Sequence, residues 1–407
     1  MNSHLFDATK WIIRSQQVFR LVSFRYENNQ RKFVTDWIQV VISVAVIGLI
    51  LALNSYFGYD YYMHVLKTDL NDRTKHTRFM VVTVEVISTA ICSFYFMFNS
   101  ILTRHSQITF MDKLQKIDEL LYTSFRSSMD PTTFRNVSLT IILSILVYYF
   151  AGFLKIVLKF EDLSIFGSFI FNINYLVLAS ISGIFTLAFI CYVTAIFLRT
   201  YQLNQKLKEV VRFPPEILET KFESKSKLCL EVMKYTRVYR LLCTSVGDLN
   251  QIFGFSLVMN FAHDFILLTS LIFMMFYLTF YDGWEASKDK VFIYFVWLFP
   301  NAMKITFSCL ACHFTRNEIE TCSQYLRKFS YEANEDDITD LVDMFALQSI
   351  HLKTEFTANN FFSIDMSLFY NIISACTTYL VILIQFKNYD DEVDNELKGN
   401  ATNSSAA

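Results

Sequence analysis

The sequence predicts an all-α integral membrane protein with seven transmembrane helices, an N-terminus in the cytoplasm and a C-terminus outside. Three observations support this prediction: the composition, the number of long apolar stretches, and the distribution of Lys and Arg among the loops. Of the 407 residues, 53% are hydrophobic and only 18% are charged, whereas soluble domains contain about 25% charged residues. The net charge of -2 gives no indication of a nucleic-acid partner.

Seven stretches are apolar over about the 20 residues that a membrane helix needs. They lie at roughly 37–57, 79–102, 137–158, 170–198, 253–280, 291–313 and 367–386. Transporters with broken membrane helices have Gly or Pro interruptions in matching halves of the chain. Such interruptions are absent from this sequence, which has 9 Gly and 4 Pro.

Lys and Arg are distributed unequally between alternate loops, which sets the predicted orientation. With the N-terminus inside, the inner segments contain 24 of these residues and the outer segments contain 9. Two glycosylation triplets, which begin at Asn400 and Asn403, agree with a C-terminus outside. G-protein-coupled receptors have the opposite orientation, so the loop charges argue against that class.

These boundaries divide the chain into seven regions. They are a cytoplasmic N-terminal segment (1–36), transmembrane helices 1–4 (37–198), a cytoplasmic helical extension (199–252), transmembrane helices 5–6 (253–313), a cytoplasmic loop with a further helix (314–363), the last transmembrane helix (364–386) and a short extracellular tail (387–407). The further helix is predicted at Asp336–His351, which is amphipathic.

The part of the extension that follows Pro214-Pro215 is predicted to form one long helix with the fifth span. Large apolar residues recur every three or four positions from Leu228 to Phe253, which is the spacing of a seam that faces another helix. The partner of this seam is either the extended ends of neighbouring spans or another subunit.

Neither an enzyme nor a metal site is indicated. Cys309 and Cys312 are one helical turn apart, but two further ligands are lacking, so we interpret them as small residues that pack between helices. The intramembrane charges Asp264 and Lys304 are at similar depths and are predicted to form a structural ion pair. We expect no cofactor.

The last span carries the most specific motif in the chain. Residues 378–386 have the sequence Thr-Tyr-Leu-Val-Ile-Leu-Ile-Gln-Phe, preceded by Phe356-Thr357, Phe361-Phe362 and Asp365. This pattern resembles the Thr-Tyr, five hydrophobics, Gln-Phe motif of the insect gustatory receptors, a family related to the insect odorant receptors.

The resemblance implies a ligand-gated, non-selective cation channel that passes Na⁺, K⁺ and Ca²⁺. It also implies a homotetramer or a heterotetramer with related receptors, in which cytoplasmic extensions form a shared anchor and the last spans surround one pore. The implied location is the plasma membrane of the dendrites of chemosensory neurons.

By the same resemblance, Gln385 faces the pore and Ile382 matches the hydrophobic gate. Thr378 falls on the same helical face as these two residues, by the four-then-three spacing. Tyr379 and Phe386 are expected to pack against protein. A ring of Ile side chains can close a narrow pore by excluding water, and uncharged Gln amides predict weak discrimination among cations.

The expected ligand is a small-molecule tastant that binds in the outer halves of the spans. The candidate contacts are Glu85, Tyr148, Asn174, Tyr294 and Trp297, because intramembrane charges and aromatic walls with amides are typical of such sites. In the branch of the family for common sugars, a Glu follows the motif Tyr, whereas this chain has Leu380. Bitter or other non-sugar tastants are therefore favoured, with fructose-type sugar sensing as the next alternative.

A metabotropic seven-span receptor is the remaining alternative. The chain has no Asp/Glu-Arg-Tyr after span 3 and no Asn-Pro-x-x-Tyr at the end of span 7, which argues against it.

Overall fold

The computed structural model describes residues 4–27, 32–68, 73–125, 165–211, 225–281, 284–333 and 354–404, with residue 352 and short pieces between 132 and 150. In these ranges eight helices and four short strands follow one another. They are α1 (His4–Val18), β1 (Phe24–Glu27), β2 (Lys32–Thr35), α2 (Trp37–Thr68), α3 (Arg73–Leu102), α4 (Arg104–Phe125), α5 (Ile165–Val211), α6 (Lys225–Tyr281), α7 (Trp284–Ala333), β3 (Thr357–Ala358), β4 (Phe362–Ser363) and α8 (Met366–Ser404).

Six of the seven predicted spans lie within described helices, namely α2, α3 and α5 to α8. Five of these helices are long and apolar enough to cross a membrane. The first predicted span lies in a shorter apolar stretch of α2, Trp37–Leu53. The third predicted span, 137–158, is described only in part, with residues 138–143 helical. The amphipathic helix predicted at Asp336–His351 lies outside the described residues.

The long helix predicted through the fifth span is confirmed as α6, which has 57 residues. At about 1.5 Å per residue it is about 85 Å long, whereas the hydrocarbon core of a bilayer is about 30 Å thick. From Val232 to Phe253 the apolar seam is buried within the chain itself. The ring of Tyr235 lies 4.4 Å from that of Phe125 on α4, and the ring of Phe253 lies 5.5 Å from that of Phe189 on α5. Of the two partners considered for the seam, the extended ends of neighbouring helices are therefore the ones observed.

Buried polar contacts join the helices at this end of the bundle. The guanidinium of Arg199 on α5 donates two hydrogen bonds of 2.7 Å to the carboxylate of Asp118 on α4. The Asn204 side chain donates to the backbone oxygen and to the Oε1 of Glu318 on α7, each at 2.8 Å. These contacts link α5 to both α4 and α7.

The two hairpins are features that the sequence analysis did not predict. In the N-terminal segment β1 and β2 pair in antiparallel register, with Phe24 opposite Thr35. The buried rings of Phe24 and Phe33 meet edge to face at 5.6 Å, and Gln16 on α1 accepts a hydrogen bond of 2.7 Å from the hydroxyl of Tyr192. The N-terminal segment is thus packed against the helical bundle.

Candidate functional site

The last helix, α8, begins at a polar cap. The Asp365 Oδ1 accepts hydrogen bonds from the backbone N–H groups of Ser367 at 2.9 Å and Leu368 at 3.2 Å. A side-chain oxygen in this position satisfies N–H groups that have no partner inside the helix. Asp365, part of the motif approach, therefore sets where α8 starts. The backbone of α8 continues past the predicted span to Ser404.

One side of α8 packs against α6. Thr269 of α6 donates a hydrogen bond of 3.5 Å to the sulfur of Cys376, which is buried. The ring of Tyr379 meets that of Phe265 edge to face at 5.6 Å. Tyr379, predicted to pack against protein, makes this contact although about half of its surface remains exposed.

The predicted pore residues lie on the side of α8 opposite Cys376. At about 100° of rotation per residue, they are about 180° to 240° around the helix from Cys376. All three are exposed in the single chain: Thr378, Ile382 and Gln385. In the apolar part of α8 only 11% of the residues are buried, against 78% in α5. This helix therefore has a large surface that its own chain does not cover. The side chain of Phe386 lies outside the described residues.

The hairpin β3–β4 fastens the start of α8 to α6. Its two strands pair in antiparallel register, and the turn between them contains Asn359 and Asn360, with positive φ values of 51° and 60°. The Asn250 side chain bonds to the hairpin twice, donating to the backbone oxygen of Glu355 at 2.8 Å and accepting from the N–H of Thr357 at 3.1 Å. The hairpin thereby holds α8 at a fixed place on α6.

Gly254 lies where the hairpin touches α6, and there is little room there for a larger side chain. A Cβ at this position would stand 3.0 Å from the backbone nitrogen of Asn359, a contact that only a shift of the hairpin could relieve. We expect Gly254→Ala to lower the free energy of unfolding by about 1–3 kcal/mol, the usual cost of overpacking. Thermal denaturation of the purified protein in detergent would measure it.

Gly247 of the same helix provides the matched control. A Cβ there meets nothing within 4 Å, so Gly247→Ala should stabilise the protein by up to about 1 kcal/mol, because Ala is the better helix former. Equal effects of the two substitutions would show that the hairpin contact does not constrain position 254.

A buried polar network crosses the middle of the bundle. The Lys304 ammonium on α7 lies 2.7 Å from the Asp264 carboxylate on α6, which confirms the predicted ion pair. Asn260 donates a hydrogen bond of 3.0 Å to the same carboxylate, and Ser182 of α5 donates to Asn260 at 3.1 Å. Lys304 also donates to Ser182 at 3.2 Å. Each charge in this network thus has an opposite charge or a hydrogen-bond partner.

A second polar cluster, formed by Glu85, Tyr175 and Trp297, lies nearer the first residues of α3, α5 and α7. The Tyr175 hydroxyl of α5 donates a hydrogen bond to the Glu85 carboxylate of α3. The ring of Tyr175 meets that of Trp297 on α7 at 5.9 Å, edge to face. The structure thus brings together Glu85 and Trp297, two of the five predicted ligand contacts. Tyr175, which links them, was not among those five, because nothing in its sequence context separates it from the other aromatic residues of the spans.

The other three predicted ligand contacts have no described bond to Glu85. Asn174 is buried in α5, and Tyr294 and Tyr148 are half-buried. Cys309 and Cys312 are buried in α7, in keeping with small residues that pack between helices. Where side chains are described, no group of three or more His, Cys, Asp or Glu could hold a metal ion.

Comparisons with known sequences identify a family. Residues 10–389 match the sequence model of the 7tm chemosensory receptor family. Over 205 residues the chain is 30% identical to gustatory receptor 68a of Drosophila melanogaster, covering 48% of this chain and 51% of that protein. Over 227 residues it is 27% identical to putative gustatory receptor 2a of the same species, covering 51% and 52%. The chain thus spans about half the length of these curated relatives.

Comparison with solved structures identifies the fold. The structure superimposes on the insect olfactory receptor OR5 from Machilis hrabei with a TM-score of 0.61 and 14% identity, over 94% of this chain and 99% of the receptor. The complex of that receptor with eugenol gives a TM-score of 0.62 at 15% identity, over the same shares of the two chains. The arrangement of helices described above is therefore the fold of that receptor.

Proposed function

Because this chain belongs to the 7tm chemosensory receptor family, we propose that it is a gustatory receptor that works as a ligand-gated, non-selective cation channel. The single observation on which the channel proposal depends is the face of α8 that its own chain leaves exposed. Thr378, Ile382 and Gln385 are exposed and lie opposite the Cys376 contact that α8 makes with α6. A face of this kind is available to meet its symmetry mates around a common axis.

Four copies of α8 would form a closed ring in a symmetric tetramer. A ring of Ile382 side chains would keep the closed pore dry, and the Gln385 amides would contact partly hydrated Na⁺, K⁺ or Ca²⁺ ions. The subunits are copies of this chain or related receptors. The tail after residue 386 contains five acidic residues within 390–396, which would raise the local concentration of cations.

The proposed orientation has the N-terminus inside and the C-terminus outside, in the plasma membrane of the dendrites of chemosensory neurons. The cluster of Glu85, Tyr175 and Trp297 then lies in the outer half of the membrane, where a tastant can reach it. The related olfactory receptor has been solved with the small aromatic molecule eugenol, which supports a small organic ligand here. Leu380 at the position after the motif Tyr favours a bitter or other non-sugar tastant, with fructose-type sugars as the alternative.

The test of the pore is Ile382→Ala, studied by whole-cell recording in heterologous cells. Removing most of the gate side chain should raise the resting cation current, because a wider ring admits water. Ile384→Ala is the matched control, since Ile384 lies about 160° around α8 from Ile382 and should leave the resting current unchanged. Gln385→Ala should alter the relative permeability of Na⁺, K⁺ and Ca²⁺.

Two results would contradict the proposal that the protein is a channel. One is a ligand-evoked current that disappears when G proteins are blocked, which would indicate a metabotropic receptor. The other is unchanged resting current and permeability in both pore variants at normal surface expression.

A further inference from the structure

The seven predicted spans contain two acidic side chains, Asp264 and Glu85, whose surroundings differ sharply. Asp264 has a counter-ion of its own, since Lys304 lies 2.7 Å away, and it accepts a further hydrogen bond from Asn260. Glu85 lies in the apolar stretch Thr83–Leu102 of α3. Among the described side chains its carboxylate has one partner, the hydroxyl of Tyr175, and no Lys or Arg within ion-pair distance.

A carboxylate in such a position is costly. An ionised group within the hydrocarbon layer is stable only beside an opposite charge, water or several hydrogen-bond donors. A carboxylate can accept about four hydrogen bonds, and Tyr175 supplies one. The remaining positions are open to a donor that does not belong to the described part of the chain.

The aromatic ring bonded to this carboxylate is in contact with a second aromatic ring. Tyr175 directs its hydroxyl to Glu85 and its ring to Trp297, with 5.9 Å between the ring centroids. Trp and Tyr rings attract cations over their faces, Trp most strongly. A carboxylate bonded to one such ring, with a second ring in contact with the first, is complementary to an organic ammonium group.

We propose that the Glu85–Tyr175–Trp297 cluster binds the protonated amine of a small apolar ligand. This inference rests on the proposed receptor function and names the ligand class. The ammonium group provides the positive charge that is missing beside the Glu85 carboxylate, and the apolar part of the ligand lies against the rings. A sugar hydroxyl can also bond to a carboxylate, but it does not neutralise the charge, so the cluster favours amines over neutral polyols.

The experiment compares amines with alcohols of nearly the same shape. Cells that express the full chain are exposed to phenethylamine and 2-phenylethanol, to tryptamine and tryptophol, and to cyclohexylamine and cyclohexanol. We expect at least one amine to evoke current at a concentration about tenfold or more below that of its alcohol. Glu85→Gln should abolish this preference, and Tyr175→Phe and Trp297→Leu should reduce it.

The control is Glu119→Gln, the same chemical change at an exposed residue of α4, which should leave the preference intact. Because a variant can fail to reach the surface, the second measurement is the denaturation temperature of each purified protein with the same compounds. The amines should raise it for the unmodified chain and have no such effect on Glu85→Gln.

Equal potency of amines and alcohols, absence of any amine effect in both measurements, or a preference that survives Glu85→Gln would each overturn the inference. The resting current of Ile382→Ala needs no ligand, so it separates this failure from failure of the channel. If that current rises while amines and alcohols are equally potent, the proposed ligand class is wrong but the proposed channel function is supported.

Discussion

Lys304→Met is expected to lower the free energy of unfolding by about 3–5 kcal/mol, the usual cost of removing one partner of a buried ion pair. The Asp264 side chain is fully buried and 12% of the Lys304 side chain is exposed. Without the ammonium group the carboxylate would stay buried with a hydrogen bond from Asn260 but no counter-ion. The denaturation temperature of the purified protein in detergent and its abundance at the cell surface would both fall.

A double substitution tests whether the unpaired carboxylate causes this loss of stability. Asp264→Leu combined with Lys304→Met removes both charges, and replacing a buried pair by apolar residues of similar size is often neutral or stabilising. The double variant should therefore recover most of the stability that Lys304→Met loses. Lys290→Met, at an exposed position of the same helix, should have little effect. A double variant less stable than Lys304→Met would contradict the explanation.

Asp118→Ala is expected to destabilise the protein by about 3 kcal/mol, at the lower end of the range for buried pairs. The Arg199 side chain is 2% exposed and the Asp118 side chain 23% exposed. Loss of the carboxylate leaves a buried guanidinium that retains a hydrogen bond of 2.7 Å to the backbone oxygen of Ala195. Thermal denaturation in detergent would again measure the change.

The neighbouring residue provides the control for this prediction. Glu119 is exposed on the same helix, so Glu119→Ala removes an acidic side chain without leaving a buried cation and should change stability by less than about 0.5 kcal/mol. Similar losses in the two variants would indicate that the Asp118–Arg199 contact does not stabilise the bundle.

The sequence alone was sufficient for the features that depend on local composition. An apolar stretch of 20 residues predicts a membrane helix wherever it stands, so the spans in α2, α3 and α5 to α8 could be located in advance. The regular spacing of apolar residues from Leu228 to Phe253 predicted the seam of α6 for a similar reason. The family likewise could be recognised from nine residues of the last span, because that motif is contiguous in the chain.

The sequence did not predict the two hairpins. Strands of two to four residues are too short for an alternating pattern to be distinctive. Asn359-Asn360 was a turn signal, since Asn tolerates positive φ, but it did not indicate that the turn would press against Gly254.

Contacts between distant residues were decided by the tertiary structure alone. Asp264 and Lys304 could be paired in advance because both are charged and lie at similar depths, and few charges exist in the spans. Tyr175 could not be singled out as the partner of Glu85, because the rotation of each helix about its axis selects one aromatic residue among many. That rotation results from the packing of all neighbouring helices at once, so it is not encoded in any single stretch of the chain.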